Sequence, residues 1–183
     1  MKKFMTVLIT AIALLSIVAC GNKSNDKKEV ASVDTILSEI KEQIASDYKE
    51  SGVEEEVLVD NKLQGFVEAD LIKKTDDPAN NIYIEKLKLN KDDIEAGIVL
   101  APMMNTKSDE IIILKAKDEK QVKELKKILE KEKEAQIAQW ERYLPDQYEK
   151  VKNNIIKTNG KYLLYVTYDD PSKIESIFDK HTK

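Results

Sequence analysis

The sequence predicts an α+β domain: an antiparallel sheet of about four strands from two ββα units, with helices, one of them long, packed on one face. Three observations carry this. Apolar runs come in pairs, 94–104 with 111–114 and 155–156 with 162–168, each joined by a turn-forming stretch. Each pair precedes a stretch with apolar residues at helical spacing. The chain has 183 residues and is 42% apolar, enough to bury one core.

The N-terminal segment 1–19 stands apart from that domain. Lys2 and Lys3 begin a basic start, and 4–18 is almost wholly apolar. The uncharged stretch is about 17 residues, short of the ~20 a bilayer span needs. These are the marks of an export signal rather than a fold element. Its ending, Ile17-Val18-Ala19-Cys20, resembles a bacterial lipobox. That resemblance implies a diacylglyceryl group on the Cys20 thiol and cleavage that leaves Cys20 as the first residue. Two acyl chains hold a protein to a membrane stably. Residues 20–31 are polar and charged, the composition of a flexible tether, and 32–183 forms the single domain.

Cys20 is the only cysteine, so no intramolecular disulfide, cysteine-based zinc site or redox pair can form. The formal charge is −4, and about −6 once Lys2 and Lys3 are removed. An acidic domain argues against nucleic acid as a partner. It also lacks a polybasic patch for anionic lipid, so the acyl anchor carries the membrane attachment.

Along the domain, Val33, Ile36, Leu37, Ile40 and Ile44 mark one helical face, with Ser32 or Asp34 as cap and an end near Asp47. Residues 53–81 are poorly patterned. Val57 to Val59 fits a short strand, 66–72 fits a helix or a strand, and 75–81 is a turn by composition. The stretch 82–89 fits strand and helix equally. Next, 94–104 and 111–114 form a hairpin across Asn105 to Ser108; Pro102 places its strand at an edge or breaks it there. One long helix spans 118–143, its middle (130–134) well solvated and Pro145 ending or kinking it. Ile155-Ile156 and 162–168 form a second hairpin across Thr158-Asn159-Gly160. Asp170-Pro171 opens the last helix, which buries Ile174, Ile177 and Phe178. An offset of 52 superposes the two ββα stretches, Ile111 on Leu163 and Leu125 on Ile177. An internal duplication and two merely similar units both explain this.

Candidate chemistry is sparse. His181, the only histidine, lies three residues from the end, where a fixed catalytic geometry is not expected. Carboxylate pairs such as Asp92-Asp93 and Asp169-Asp170 are common among 34 acidic residues and read better as helix caps. There is no calcium-loop spacing, phosphate-binding loop, dinucleotide fingerprint or nucleophile elbow. The aromatic set of the C-terminal half is Trp140, Tyr143, Tyr148, Tyr162, Tyr165 and Tyr168, and such residues serve cores and interfaces alike. Trp140 and Tyr143, where the long helix stops, and Asn105 in the first hairpin loop are the candidate binding residues. No catalytic residue, cofactor or metal is expected.

Three blocks, in order, resemble a known family: 94–118 (IEAGIVLAPMMNTKSDEIIILKAKD), the lysine- and glutamate-rich helix ending in 140–151 (WERYLPDQYEKV), and 159–178 (NGKYLLYVTYDDPSKIESIF). These are similar to the domain-of-unknown-function 4358 family of small Gram-positive lipoproteins, best over 93–180. Residues 53–81 look longer than the family pattern, as an insertion would. The resemblance implies no catalytic residue and no ligand. The expected function is a membrane-anchored extracytoplasmic lipoprotein, a non-catalytic binding or accessory module contacting an envelope protein or peptide. The alternative is a small-ligand or peptide receptor associated with a transporter. A hydrolase using two carboxylates is a third class.

Overall fold

A computed structural model describes residues 30–73 and 78–183. Helix α1 (Val33–Glu50) starts at Ser32, whose side chain accepts from the Thr35 N–H, and buries the apolar face expected of it. A small hairpin follows, β1 (Leu58–Val59) and β2 (Lys62–Leu63). Its loop residues Asp60 and Asn61 both have positive φ, 49° and 60°, as a type I′ turn requires. Then come β3 (Phe66–Asp70), α2 (Pro78–Leu87), β4 (Ile94–Pro102) and β5 (Glu110–Ala116). The chain ends with α3 (Glu119–Trp140), α4 (Pro145–Lys152), β6 (Ile155–Asn159), β7 (Tyr162–Thr167) and α5 (Pro171–Thr182).

The main sheet is antiparallel, in the order β3-β4-β5-β7-β6. On one face Ile98, Leu100, Ile111, Ile113, Leu164 and Val166 pack with Ile36, Ile40, Ile174 and Phe178 of α1 and α5. On the other, Val99, Ile112, Leu114, Leu163 and Tyr165 pack with Leu87 of α2 and with Leu125 and Leu129 of α3. The domain is therefore α+β as expected, but it differs in two ways. The sheet has five strands, β3 being the addition, and helices cover both faces rather than one. The reason lies in the strands themselves. Runs such as Ile111 to Leu114 are apolar at every position, so both faces need a covering layer.

That layering also bears on the duplication. The two hairpins meet at the β5–β7 pair, where a two-fold axis normal to the sheet would relate them and put their helices on one face. Instead α3 and α5 lie on opposite faces. The ββα units are therefore of opposite hand, and the geometry favours two similar units over a duplicated one.

Several local readings shift. β4 is an interior strand, and Pro102 sits at its last position, so it ends the strand without marking an edge. Pro145 does not kink α3 but opens α4, where its missing N–H costs nothing. Pro78 likewise begins α2 inside the stretch 75–81 read as a turn, of which residues 75–77 lie outside those described. Asn159 is the last residue of β6, and the loop is Gly160-Lys161 with Gly160 at φ 54°. The Asn159 side chain donates to Asp179 Oδ1 and Thr182 Oγ1 of α5.

Candidate functional site

The sheet has two distinct ends. At one, Ile94 pairs with Ala116 and Tyr162 with Lys115. The start of the described chain is fixed here: Tyr162 Oη donates to the Ala31 carbonyl at 3.0 Å, and the Ala31 N–H donates to the His181 carbonyl. At the opposite end Phe66 pairs with Pro102 and Glu110 with Thr167. Helix α3 starts beside Ala116 and its 22 residues carry the chain about 33 Å away from it.

Tyr143 is thereby carried toward the end of the sheet at which the β4–β5 loop lies. Asn105 lies in the β4–β5 loop beside Met103 and Met104, which are 68% and 59% exposed. That loop is pinned to α4, since the Ser108 N–H donates to Gln147 Oε1 at 2.9 Å. Tyr143, just past α3, is 53% exposed. Trp140 is not: it is buried, its Nε1–H donates to Gln136 Oε1 at 2.9 Å, and its ring centre lies 5.5 Å from that of Tyr143. Trp140 thus supports Tyr143 from below instead of offering a surface itself. Tyr162, Tyr165 and Tyr168 are core residues, and Tyr168 Oη donates to Asp47 Oδ2. Cys20 lies outside the described residues.

His181 is held within α5 rather than in a loose terminus, 2.6 Å from Glu39 Oε2. The hydrogen bonds from Lys180 and His181 hold the Glu39 carboxyl below the usual range. The interaction closes the C-terminal helix onto α1. Asp170 caps α5 as expected, whereas the turn at Lys91–Asp93 is capped by Asn90 and not by the aspartates.

A second polar constellation escaped the sequence reading. Lys86 Nζ of α2 lies 2.6 Å from Glu110 Oε1 of β5 and 2.8 Å from Glu132 Oε1 of α3. Both glutamates are 5% exposed. Gln136 Nε2–H donates to Glu132 at 2.7 Å, which links the group to Trp140. The middle of α3 is therefore not wholly solvated, because Glu132 turns inward. Its position carried a signal: Leu125, Leu129, Glu132, Gln136 and Trp140 form one stripe at helical spacing. Lys41 is a parallel case. It lies in the buried face of α1, 3% exposed, 2.9 Å from Glu68.

Two carboxylates on one ammonium leave the buried group with an excess of negative charge when all are ionised. Burial pushes the Glu110 carboxyl up, Lys86 pulls it down, and Glu132 pushes it up again; the net direction is up. For Lys86, burial favours the neutral amine, but the charges of Glu110 and Glu132 outweigh it and raise its pKa. Glu110 Oε2, Tyr165 Oη and Asn154 Oδ1 are buried without a hydrogen-bond partner among the described residues. Asn154 Nδ2–H itself donates to Thr167 Oγ1, beside Glu110 in the sheet. Chemically this group can store a proton on a carboxyl, and structurally it ties α2 and α3 to β5.

Among the described residues no helix is long and apolar enough to cross a membrane. No curated protein and no solved structure matches the chain. A family model does match, over residues 69–168, which takes in β4, β5, α3, α4, β6, β7, α2 and the end of β3, and leaves β1 and β2 outside. With that architecture, the chain belongs to the family described as a domain of unknown function (DUF4358).

Proposed function

We propose that this protein is a lipid-anchored module on the extracytoplasmic face of the membrane that binds an envelope protein or peptide without transforming it. The anchor is the diacylglyceryl group expected on Cys20. One observation supports the binding role above the others. The exposed residues Met103, Met104, Asn105 and Tyr143 lie at the end of the sheet opposite Ala31, where the chain enters the domain. A tether attached at Ala31 would join the domain at the end remote from these residues and leave them clear of the attachment point. Exposed methionines offer an adaptable apolar surface, and an exposed tyrosine an apolar body with a polar handle.

Fractionation of cells expressing the wild type and Cys20→Ala, combined with in-cell cross-linking, tests this reading. The wild type is expected in the membrane fraction, with a partner cross-linked through residues 103–105 or Tyr143. Cys20→Ala is expected to leave the membrane. Wild-type protein recovered free of membranes defeats the anchor, and cross-links confined to the Ala31 end defeat the choice of surface.

A further inference from the structure

Among the described residues, strand β3 is paired with another strand on one side only. The Met103 N–H donates to the Gly65 carbonyl and the Leu71 N–H to the Gly97 carbonyl, both at 2.8 Å. With the register Phe66↔Pro102 to Asp70↔Ile98, that parity turns the main-chain groups of Val67 and Ala69 toward β4. It turns those of Phe66, Glu68 and Asp70 outward, where they meet no partner among the described residues. A groove of about 500 Å³ runs along this edge, lined by Leu63, Gly65, Phe66, Glu68, Leu100 and Met103 among others. Met103 joins it to the far-end surface described above. The other edge strand, β6, carries a central lysine, Lys157, bound to Glu175 and Asp179; a lysine there is a common guard against strand addition.

We infer that the β3 edge accepts an extended segment of a partner polypeptide as a sixth strand, with basic side chains opposite Glu68 and Asp70 and an apolar one opposite Phe66. The main chain supplies the affinity and the alternating side chains the selectivity, as in strand addition generally. Glu68, Asp70 and Phe66 project from the same face of the sheet, because they alternate with Val67 and Ala69. Glu68 uses one carboxylate oxygen on Lys41 and Asp70 uses one on the N–H groups of Ile72 and Lys73. The second oxygen of each remains for a cation. At the other end, Phe66, Leu63 and Met103 offer an apolar seat. An antiparallel partner strand therefore reads basic, any, basic, any, apolar. A second copy of this chain fits poorly: two-fold pairing about Glu68 sets two carboxylates directly opposite each other, which is repulsive.

This inference deepens the proposed binding role by naming the partner's chemistry, and it is independent of the lipid anchor. The probe is a labelled heptapeptide, Thr-Lys-Thr-Lys-Thr-Ile-Thr, titrated by fluorescence anisotropy with the full-length chain in mild detergent. Saturable binding with Kd below ~1 mM is expected. N-methylation of the two lysines and the isoleucine, whose main chain faces β3, is expected to abolish binding; N-methylation of the central threonines is expected to leave it intact. The same peptide with glutamate in place of lysine is expected to bind at least about tenfold more weakly. Glu68→Pro removes an outward N–H together with the carboxylate that holds Lys41, while Glu68→Ala removes the carboxylate alone; Glu68→Pro should weaken binding beyond Glu68→Ala, with the native Trp140 emission retained in both. Equal loss on both N-methylation patterns, indifference to the charge swap, or no binding of the lysine peptide overturns the inference. So does sedimentation showing a dimer that Glu68→Pro dissolves. Failure here leaves the membrane fractionation result untouched, so the two readings are separable.

Discussion

Replacing Lys86 by methionine removes the cation that bridges two buried carboxylates. Glu110 and Glu132 are each 5% exposed, and the Lys86 side chain retains 33%. Removing one partner of a buried ion pair costs about 3–5 kcal/mol. The partial exposure of Lys86 and the ability of Glu110 to keep a proton place this case at the lower end, about 3 kcal/mol at pH 7. With an m-value of ~2 kcal/mol per molar urea, the unfolding midpoint falls by about 1.5 M. Trp140, the only tryptophan, reports on this region directly, since Gln136 links its indole to Glu132.

The pH dependence provides the sharper test. The folded-state pKa of Glu110 is raised, so its stability contribution is present in full below the ordinary glutamate value. That contribution is lost as pH rises through the folded value. Losing Lys86 removes the influence that pulled Glu110 down, so the carboxyl rises further. Each extra proton held by the folded state tilts stability by about 1.4 kcal/mol per pH unit. The penalty of Lys86→Met is therefore expected to shrink from pH 7 to pH 5. Lys86→Arg, which keeps the charge, is expected to lose less than methionine at pH 7. A Lys86→Met penalty under ~1 kcal/mol at pH 7, or one that does not change with pH, refutes the argument.

Other outcomes follow from the packing. A methyl added at Gly97 would stand 3.0 Å from Ile94 Cδ1 and Leu114 Cδ2 and 3.1 Å from Leu71 Cδ1, so Gly97→Ala is expected to cost about 1–3 kcal/mol in urea unfolding. Trp140→Ala should cost about 3–5 kcal/mol by circular dichroism melts, whereas Tyr143→Ala should cost about 1 kcal/mol or less. If Tyr143 is a contact residue, its loss is expected to reduce cross-linking in cells while stability stays near wild type. Burial opposes the charge on Asp179, yet hydrogen bonds from Lys157, Lys183 and Asn159 hold its pKa down at about 2. Its contribution is present in full above the ordinary aspartate pKa and lost as pH falls from there through the folded value of about 2, so Asp179→Asn should flatten the stability profile between pH 4 and pH 2.

The elements themselves were legible wherever one residue pattern had one physical meaning. Ile36, Ile40 and Ile44 could serve only a helix with a single buried face. Ile111 to Leu114 could serve only a covered strand, and Asp170-Pro171 only a helix start. Residues 53–81 were less legible because β1, β2 and β3 are short. Phe66 to Asp70 gains its strand identity from pairing with β4, a contact between residues some thirty positions apart. Of the candidate binding residues, Tyr143 and Asn105 are exposed at one end, while Trp140 is buried. A tryptophan at a helix end has the same sequence signature in both roles.

By itself, then, the sequence determined most of the local elements outside residues 53–89, the acidic charge, the single cysteine, and the family. These depend on neighbouring residues and on composition, which the chain states directly. Only the tertiary structure decided that helices lie on both sides of the sheet, because an apolar strand does not specify which helix covers which face. It alone brought Lys86, Glu110 and Glu132 together from α2, β5 and α3, and paired Lys41 with Glu68. A charged residue in a buried stripe signals that a partner is required. Which partner meets it is settled by packing between segments distant in sequence, where the cost of an unpaired buried charge selects the arrangement.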